Sequence, residues 1–143
     1  MSISPSLETA KALLTGETTC VLIRDEEIFS STARGVAPLL QWLDKGKDFH
    51  GFSCADKVVG KAAAFLYVLL GVKEVYANVV SESAEKVFLQ YNVPLFYQTK
   101  VPAIRNRTNT GFCPMEQSVL SIDDPLEAKI AIENTLQALR TQK

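Results

Sequence analysis

The segment Ser53-Cys54-Ala55-Asp56-Lys57 places a thiol, a carboxylate and an ammonium group within five residues. Serine often begins a helix, because its hydroxyl accepts a first-turn N–H, and an aspartate near that end complements the helix dipole. A cysteine at a helix N-terminus has a lowered thiol pKa and is a better nucleophile. We therefore predict a helix that begins here, with Cys54, Asp56 and Lys57 as candidate catalytic residues.

The same residue types also have a purely structural interpretation. Ser53 would cap the helix, Asp56 would only complement its dipole, Cys54 would be a small buried side chain and the lysines would face solvent. Gly60 would then lie inside the helix, where glycine costs about 1 kcal/mol relative to alanine and indicates close packing or function. Both interpretations place the same five residues at one helix start.

Other polar side chains are predicted to face the same edge of a sheet. A second helix is expected to begin at Ser81, and helix N-termini at the carboxyl ends of strands bind anions. The segment Pro102-Ala-Ile-Arg-Asn-Arg-Thr is loop-like and could hold an anion. In the following TGFCPME, a structural alternative is a helix beginning at Pro114. The candidate ligand-binding residues are Ser53, Lys61, Ser81, Arg105, Arg107, Thr108, Cys113 and Glu116.

The elements that would position these residues alternate between helix and strand. The fold class is therefore α/β, and we predict a three-layer α/β/α sandwich with a mixed sheet, formed by one domain that covers residues 1–143. We expect helices at 5–14, 36–45, 55–70, 81–91 and 125–139, a hairpin of strands at 18–24 and 27–33, and parallel strands at 73–80 and 94–101.

The composition of the chain argues against some classes of binding partner. The 143 residues include 15 basic and 16 acidic side chains, for a net charge of -1, so the clustered basic surface typical of nucleic-acid binding is not expected. The longest apolar stretch is too short to cross a membrane. Three cysteines without metal-type spacing favour free thiols in a cytoplasmic protein. The expected partner is a small molecule, and a homo-oligomer is an open alternative.

The run SCADKVVGKAAA, followed by a strand and a helix with VFLQY, resembles the metal-binding helix of the cytidine deaminase-like superfamily. With TGFCPMEQSVLSIDDP, it is similar to a small bacterial family described as a domain of unknown function, which has been called a family of candidate deaminases. The resemblance implies a cytidine deaminase-like fold over nearly the whole chain. It places Cys54 at the first metal-ligand position and Asp56 at the proton-shuttling glutamate.

The resemblance also implies that the zinc set is incomplete. The second deaminase motif falls on residues 80–84, where Ser81 and Ala84 stand in place of the two cysteines. Catalytic zinc needs three protein ligands, so we expect no cofactor and a small anionic or nucleotide-like ligand between two helix N-termini. The alternatives are a divergent metal-dependent deaminase or hydrolase that uses Cys54, Cys113 and Glu116, and a noncatalytic self-assembling domain.

Overall fold

The computed structural model describes residues 3–33, 35–105 and 113–141 of the chain. The helices and strands in these ranges are α1 (Pro5–Leu13), β1 (Cys20–Arg24), β2 (Glu27–Ser31), α2 (Ala37–Asp44), β3 (Ser53–Val59), α3 (Lys61–Leu70), β4 (Glu74–Ser81), α4 (Glu82–Gln90), β5 (Leu95–Val101), α5 (Pro114–Ser118) and α6 (Pro125–Thr141).

The strands form one mixed five-stranded sheet in the order β2-β1-β3-β4-β5. β1 pairs antiparallel with both β2 and β3. β3 pairs parallel with β4, and β4 pairs parallel with β5. The strand direction therefore changes between β1 and β3, and the carboxyl ends of β3, β4 and β5 lie at one edge of the sheet.

Side chains from the central strands alternate between two apolar clusters. Leu22 and Cys54 belong to the large cluster that includes residues of α2, α3, α4 and α6, whereas Val21 and Ala55 pack with α1. This alternation is the two-residue period expected of strands covered on both faces. Helices thus lie on both sides of the sheet, and the predicted mixed α/β architecture is confirmed at that level.

Several predicted helix starts are confirmed by their hydrogen bonds. The Ser4 hydroxyl accepts the backbone N–H of Leu7 at the start of α1, and the Ser81 hydroxyl accepts that of Ala84 at the start of α4. The carboxylate of Asp124 accepts the N–H of Glu127 at the start of α6. Short polar side chains before a helix satisfy N–H groups that have no partner inside it.

The prediction of a helix over residues 55–70 is wrong in its first part. Ser53–Val59 is strand β3, and α3 begins only at Lys61, with Gly60 as its N-cap. The segment was ambiguous because a short, mostly apolar run fits a buried strand as well as a buried helix. The β-branched pair Val58 and Val59 favours the strand, and it ends at Gly60. The predicted series of elements therefore lacked one strand.

A buried carboxylate joins α1 to the sheet. Glu74, at the start of β4, accepts hydrogen bonds from the hydroxyls of Ser4 and Ser53. Only 6% of Glu74 is exposed, so its charge depends on these donors for the interactions that water would otherwise provide. Ser53 therefore anchors a neighbouring strand and the first helix, and it does not begin a helix as predicted.

No helix in the described ranges is both long and apolar enough to span a bilayer.

Replacing Ser53 with alanine should destabilise the fold, because it removes one of two hydroxyl donors to a buried carboxylate. We expect the free energy of unfolding to fall by about 1 to 3 kcal/mol, as measured by urea denaturation. The matched control is Ser30→Ala on the exposed strand β2, which should change stability by less than about 0.5 kcal/mol. Equal effects of the two substitutions would contradict the anchoring role.

Candidate functional site

A cavity of about 700 Å³ opens where β3 ends and the helices α2 and α3 begin. The beginning of β1 and the short helix α5 complete its wall. Its polar lining includes Asp56, Tyr67 and Glu116, and much of the remainder is aliphatic, from residues such as Leu39 and Ala63. The cavity therefore lies at the carboxyl end of a parallel strand beside the change in strand direction, where α/β folds commonly bind ligands.

Asp56 is the carboxyl group at the inner wall of this cavity. Its Oδ2 accepts a hydrogen bond of 2.5 Å from the Tyr67 hydroxyl on α3, and its Oδ1 accepts the backbone N–H of Val58 at 3.2 Å. Burial raises the pKa of Asp56 to about 6, and the hydrogen bond from Tyr67 opposes this rise. A carboxyl group with such a pKa gains and loses its proton near neutral pH.

The thiols beside Asp56 are not activated nucleophiles. Cys54 is completely buried in β3, and burial, with the nearby Asp56 charge, raises its pKa well above the ordinary value. Burial also raises the pKa of Cys20 to about 12. The predicted lowering of the Cys54 pKa required a helix N-terminus, which β3 does not provide. The proposed catalytic role of Cys54 as a thiolate is therefore corrected.

The carboxylate of Glu116, a residue of α5, caps the start of α3. Its Oε1 accepts the backbone N–H of Lys61 at 2.7 Å, and its Oε2 accepts that of Ala62 at 2.9 Å. The approach depends on Gly60, because a Cβ atom built on Gly60 would lie 2.4 Å from the Glu116 carboxyl carbon. The chain thus supplies its own anion to this helix N-terminus. The close approach of Glu116 explains why position 60 is a glycine.

The two predicted lysines make hydrogen bonds within the chain. Lys57 lies in β3 and lines the edge of the cavity, where its ammonium group donates to the carbonyl oxygen of Gly16. Lys61 is the first residue of α3, and its Nζ donates to the Leu120 carbonyl oxygen at 3.0 Å. Lys61 does not line the cavity, so the structure does not place its side chain beside Asp56.

Of the remaining predicted site residues, some line the cavity and others do not. Ser81 is a buried helix cap away from the cavity lining. Arg105 lies after β5 and outside the cavity lining, whereas Cys113 lines the cavity with Glu116. Arg107 and Thr108 lie outside the described residues. Cys113 and Glu116 line the same cavity as Asp56, and the roles of these residues stay a prediction.

The metal-dependent alternative requires at least three potential metal ligands close together. Among the residues that the structure describes, no three His, Cys, Asp or Glu side chains are grouped so that they could hold a metal ion. The residues outside the described ranges include none of these four types. Cys54, Cys113 and Glu116 therefore do not form the ligand set that the metal-dependent alternative requires.

The sequence prediction missed Tyr67 and Cys20, which both line the cavity. Tyr67 stands within the almost entirely apolar helix sequence KAAAFLYVLL. A tyrosine in such a run needs a buried partner for its hydroxyl, and that requirement was the available signal. The burial of Tyr67 raises its pKa well above the ordinary value, so it acts as a neutral hydrogen-bond donor.

Fold and cavity together define a mixed α/β domain with a partly buried carboxyl group at a cavity between two helix starts. The chain belongs to the family TM1506, described as a domain of unknown function (DUF1893), whose model matches residues 8–136. None of the curated proteins matches the chain.

A solved structure gives the same overall fold. The crystal structure of a DUF1893 family protein, TM1506, from Thermotoga maritima superposes with a TM-score of 0.81 and 26% sequence identity. The alignment covers 96% of this chain and 92% of that one. The similarity therefore extends over the elements that surround the cavity, not over a fragment of the sheet.

The raised pKa of Asp56 predicts how stability depends on pH. The pKa rises from 3.8 to about 6 on folding, so the folded state binds the proton more tightly. The Asp56 contribution should therefore be lost as pH rises from about 4 to about 6, by up to about 3 kcal/mol. In urea denaturation, Asp56→Asn should gain stability relative to the wild type over that interval. A stability difference that is independent of pH would contradict this assignment.

The contact between Gly60 and Glu116 predicts strong coupling between these positions. Glu116→Ala should cost about 1 to 2 kcal/mol, because two N–H groups lose their cap. Gly60→Ala should cost a similar amount by displacing the carboxylate. In the double variant, the alanine at position 60 should add only a few tenths of a kcal/mol, giving a coupling energy of about 1 kcal/mol or more in a double-mutant cycle. Additive losses would show that the two residues act independently.

Proposed function

We propose that this chain is a small-molecule-binding domain of the cytidine deaminase-like type, and that its cavity holds a compact, ring-containing organic ligand against Asp56. The observation that carries the proposal is the cavity itself, which places a partly buried carboxyl group between aliphatic walls. The proposal concerns binding and assigns no reaction to the site.

The dimensions and lining of the cavity support binding of a compact organic molecule. A volume of about 700 Å³ is within the range of about 300 to 1,000 Å³ that is usual for small-molecule sites. Aliphatic side chains, including Val36, Leu39 and Ile104, provide surfaces for a flat ring. A few polar groups on such walls are the usual means of orienting a ligand. Asp56 and Tyr67 have that position here.

The cytidine deaminase-like assignment is supported by the sequence resemblance of SCADKVVGKAAA and the segments that follow it. The two helices that begin at the cavity are α2 and α3, not helices that begin at Ser53 and Ser81 as expected. The available side chains do not fit a zinc set, because no three potential ligands are grouped among the described residues. We therefore propose ligand binding without a metal-assisted step.

The proposed function can be tested with a larger side chain at the edge of the cavity. Val58 lines the cavity and is 49% exposed, so Val58→Trp should occupy the space without disturbing the core. Wild-type protein should be stabilised by at least one of a set of free bases, nucleosides and nucleotides in a thermal-shift screen, with affinity then measured by calorimetry. The Val58→Trp variant should lose about tenfold or more of that affinity, which corresponds to about 1.4 kcal/mol.

The matched control is Ile28→Trp. Ile28 is also a β-branched strand residue, is 53% exposed and lies away from the cavity. The Ile28→Trp substitution should leave the affinity for the same compound unchanged. Binding that is equally strong in both variants, or no stabilisation by any compound in the set, would count against the proposed function.

A further inference from the structure

We propose that the ligand of this cavity carries a positively charged amino or amidinium group and donates hydrogen bonds from it to Asp56. This inference rests on the proposed function and specifies the chemistry of the ligand. It differs from the expectation of an anionic ligand that the sequence suggested.

Three side-chain hydrogen-bond donors that line the cavity already have acceptors within the protein. The Tyr67 hydroxyl donates to Asp56, and the Lys57 ammonium group donates to Gly16. The hydroxyl of Thr19 lies 2.7 Å from the carbonyl oxygen of Ala33 and is positioned to donate to it. At these three positions, a ligand that offered only acceptors would compete with bonds within the protein.

The carboxylates of Asp56 and Glu116, in contrast, can accept further hydrogen bonds. An ionised carboxylate has about four lone-pair positions. Asp56 accepts hydrogen bonds from Tyr67 and Val58, and the Lys57 backbone also stabilises its charge. Glu116 accepts two described bonds, so each carboxylate keeps lone-pair positions for further donors. A ligand with several N–H groups on one charged centre would match this set, because charge-assisted bonds to carboxylates are stronger than neutral ones.

The charges around the cavity favour the same ligand class. Among its described lining residues, three carry carboxyl groups, Glu17, Asp56 and Glu116, and Lys57 carries the ammonium group. Glu17 is exposed and its field is screened by water, so the partly buried pair is more important. An anion would be repelled by Asp56 and Glu116, which are partly buried and therefore less screened by solvent than charges on the exposed surface.

The start of α3 offers no compensating site for an anion. Its N–H groups at Lys61 and Ala62 bind Glu116, which is the chain's own carboxylate. A phosphate or carboxylate from a ligand would first have to displace it. A cation needs no such rearrangement.

Binding of a cation to Asp56 should depend on pH. Asp56 is faced by the Cys20 thiol from β1, the Cys54 thiol from β3 and the Tyr67 hydroxyl from α3, all of which remain neutral near pH 7 because their pKa values are raised. Glu116 from α5 lines the same cavity, as does Lys57 at its edge. Loss of affinity on acidification would therefore report chiefly on the protonation of Asp56.

Three probes of nearly the same shape separate the ligand classes. Benzamidine is a cation, benzamide is neutral and benzoate is an anion. Their dissociation constants are measured by calorimetry or NMR titration with the wild type, Asp56→Asn, Tyr67→Phe and Val58→Trp. We expect benzamidine to bind most tightly and benzoate most weakly. With a pKa of about 6, Asp56 is mostly ionised at about pH 7.5, so benzamidine affinity should fall about tenfold at about pH 5.

The variants identify the group responsible. Asp56→Asn should weaken benzamidine binding about tenfold at neutral pH and abolish its pH dependence. Because the Tyr67 hydroxyl lowers the pKa of Asp56, Tyr67→Phe should move the midpoint of the pH dependence to higher pH. A merely structural loss would weaken binding without moving that midpoint.

Other outcomes would overturn the inference in distinguishable ways. Benzoate binding that equals or exceeds benzamidine binding, yet is lost in Val58→Trp, would reject a cationic ligand and support the proposed function. A pH dependence that persists in Asp56→Asn would reject Asp56 as the acceptor. If no probe binds, the inference fails, and the nucleoside and nucleotide screen decides the proposed function separately.

Discussion

The hydrogen bond between Tyr67 and Asp56 is the interaction on which the arrangement of this site depends. It joins the last part of β3 to α3, the helix that immediately follows β3 in the chain. Without a donor beside it, a carboxylate at this depth would favour its protonated form even more strongly. The same bond fixes one carboxyl oxygen. The direction in which Asp56 presents its remaining lone pairs is therefore set by the packing of α3 on the sheet.

A second constraint lies one residue beyond the strand. Gly60 allows the Glu116 carboxylate to approach the first N–H groups of α3, so a residue 55 positions from Lys61 completes that helix. This contact brings α5 against the cavity and makes Glu116 part of its wall. Helix capping, which is usually a local interaction, is here a long-range contact that also gives the cavity an acidic side.

The sequence predicted the parts of the fold that are encoded locally. Serine and aspartate caps at Ser4, Ser81 and Asp124 marked three helix starts correctly, because cap geometry involves only neighbouring residues. The start of α3 was missed because its capping carboxylate, Glu116, is distant in sequence. Within SCADKVVGK, the apolar periodicity does not separate a buried strand from a buried helix, and only the β-branched pair before Gly60 favours the strand.

The site was predicted in its location but not in its chemistry. Asp56 is at the cavity, but on a strand, and the neighbouring thiols have raised pKa values where a lowered one was expected. Charge state depends on burial and on partners such as Tyr67, and these follow from three-dimensional packing. Lys57 and Lys61 likewise suggested an anion site until their carbonyl partners, Gly16 and Leu120, were placed beside them.

The bond from Ser4 to Glu74 has a consequence for the order in which the chain folds. The two residues are 70 positions apart, and closing a loop of that length costs on the order of 4 kcal/mol in chain entropy. Glu74 and Ser53 can meet across the parallel pair β3 and β4 before α1 arrives. α1 can pack on β1, the next strand in the chain, but its hydrogen bond to Glu74 forms only when β4 is present.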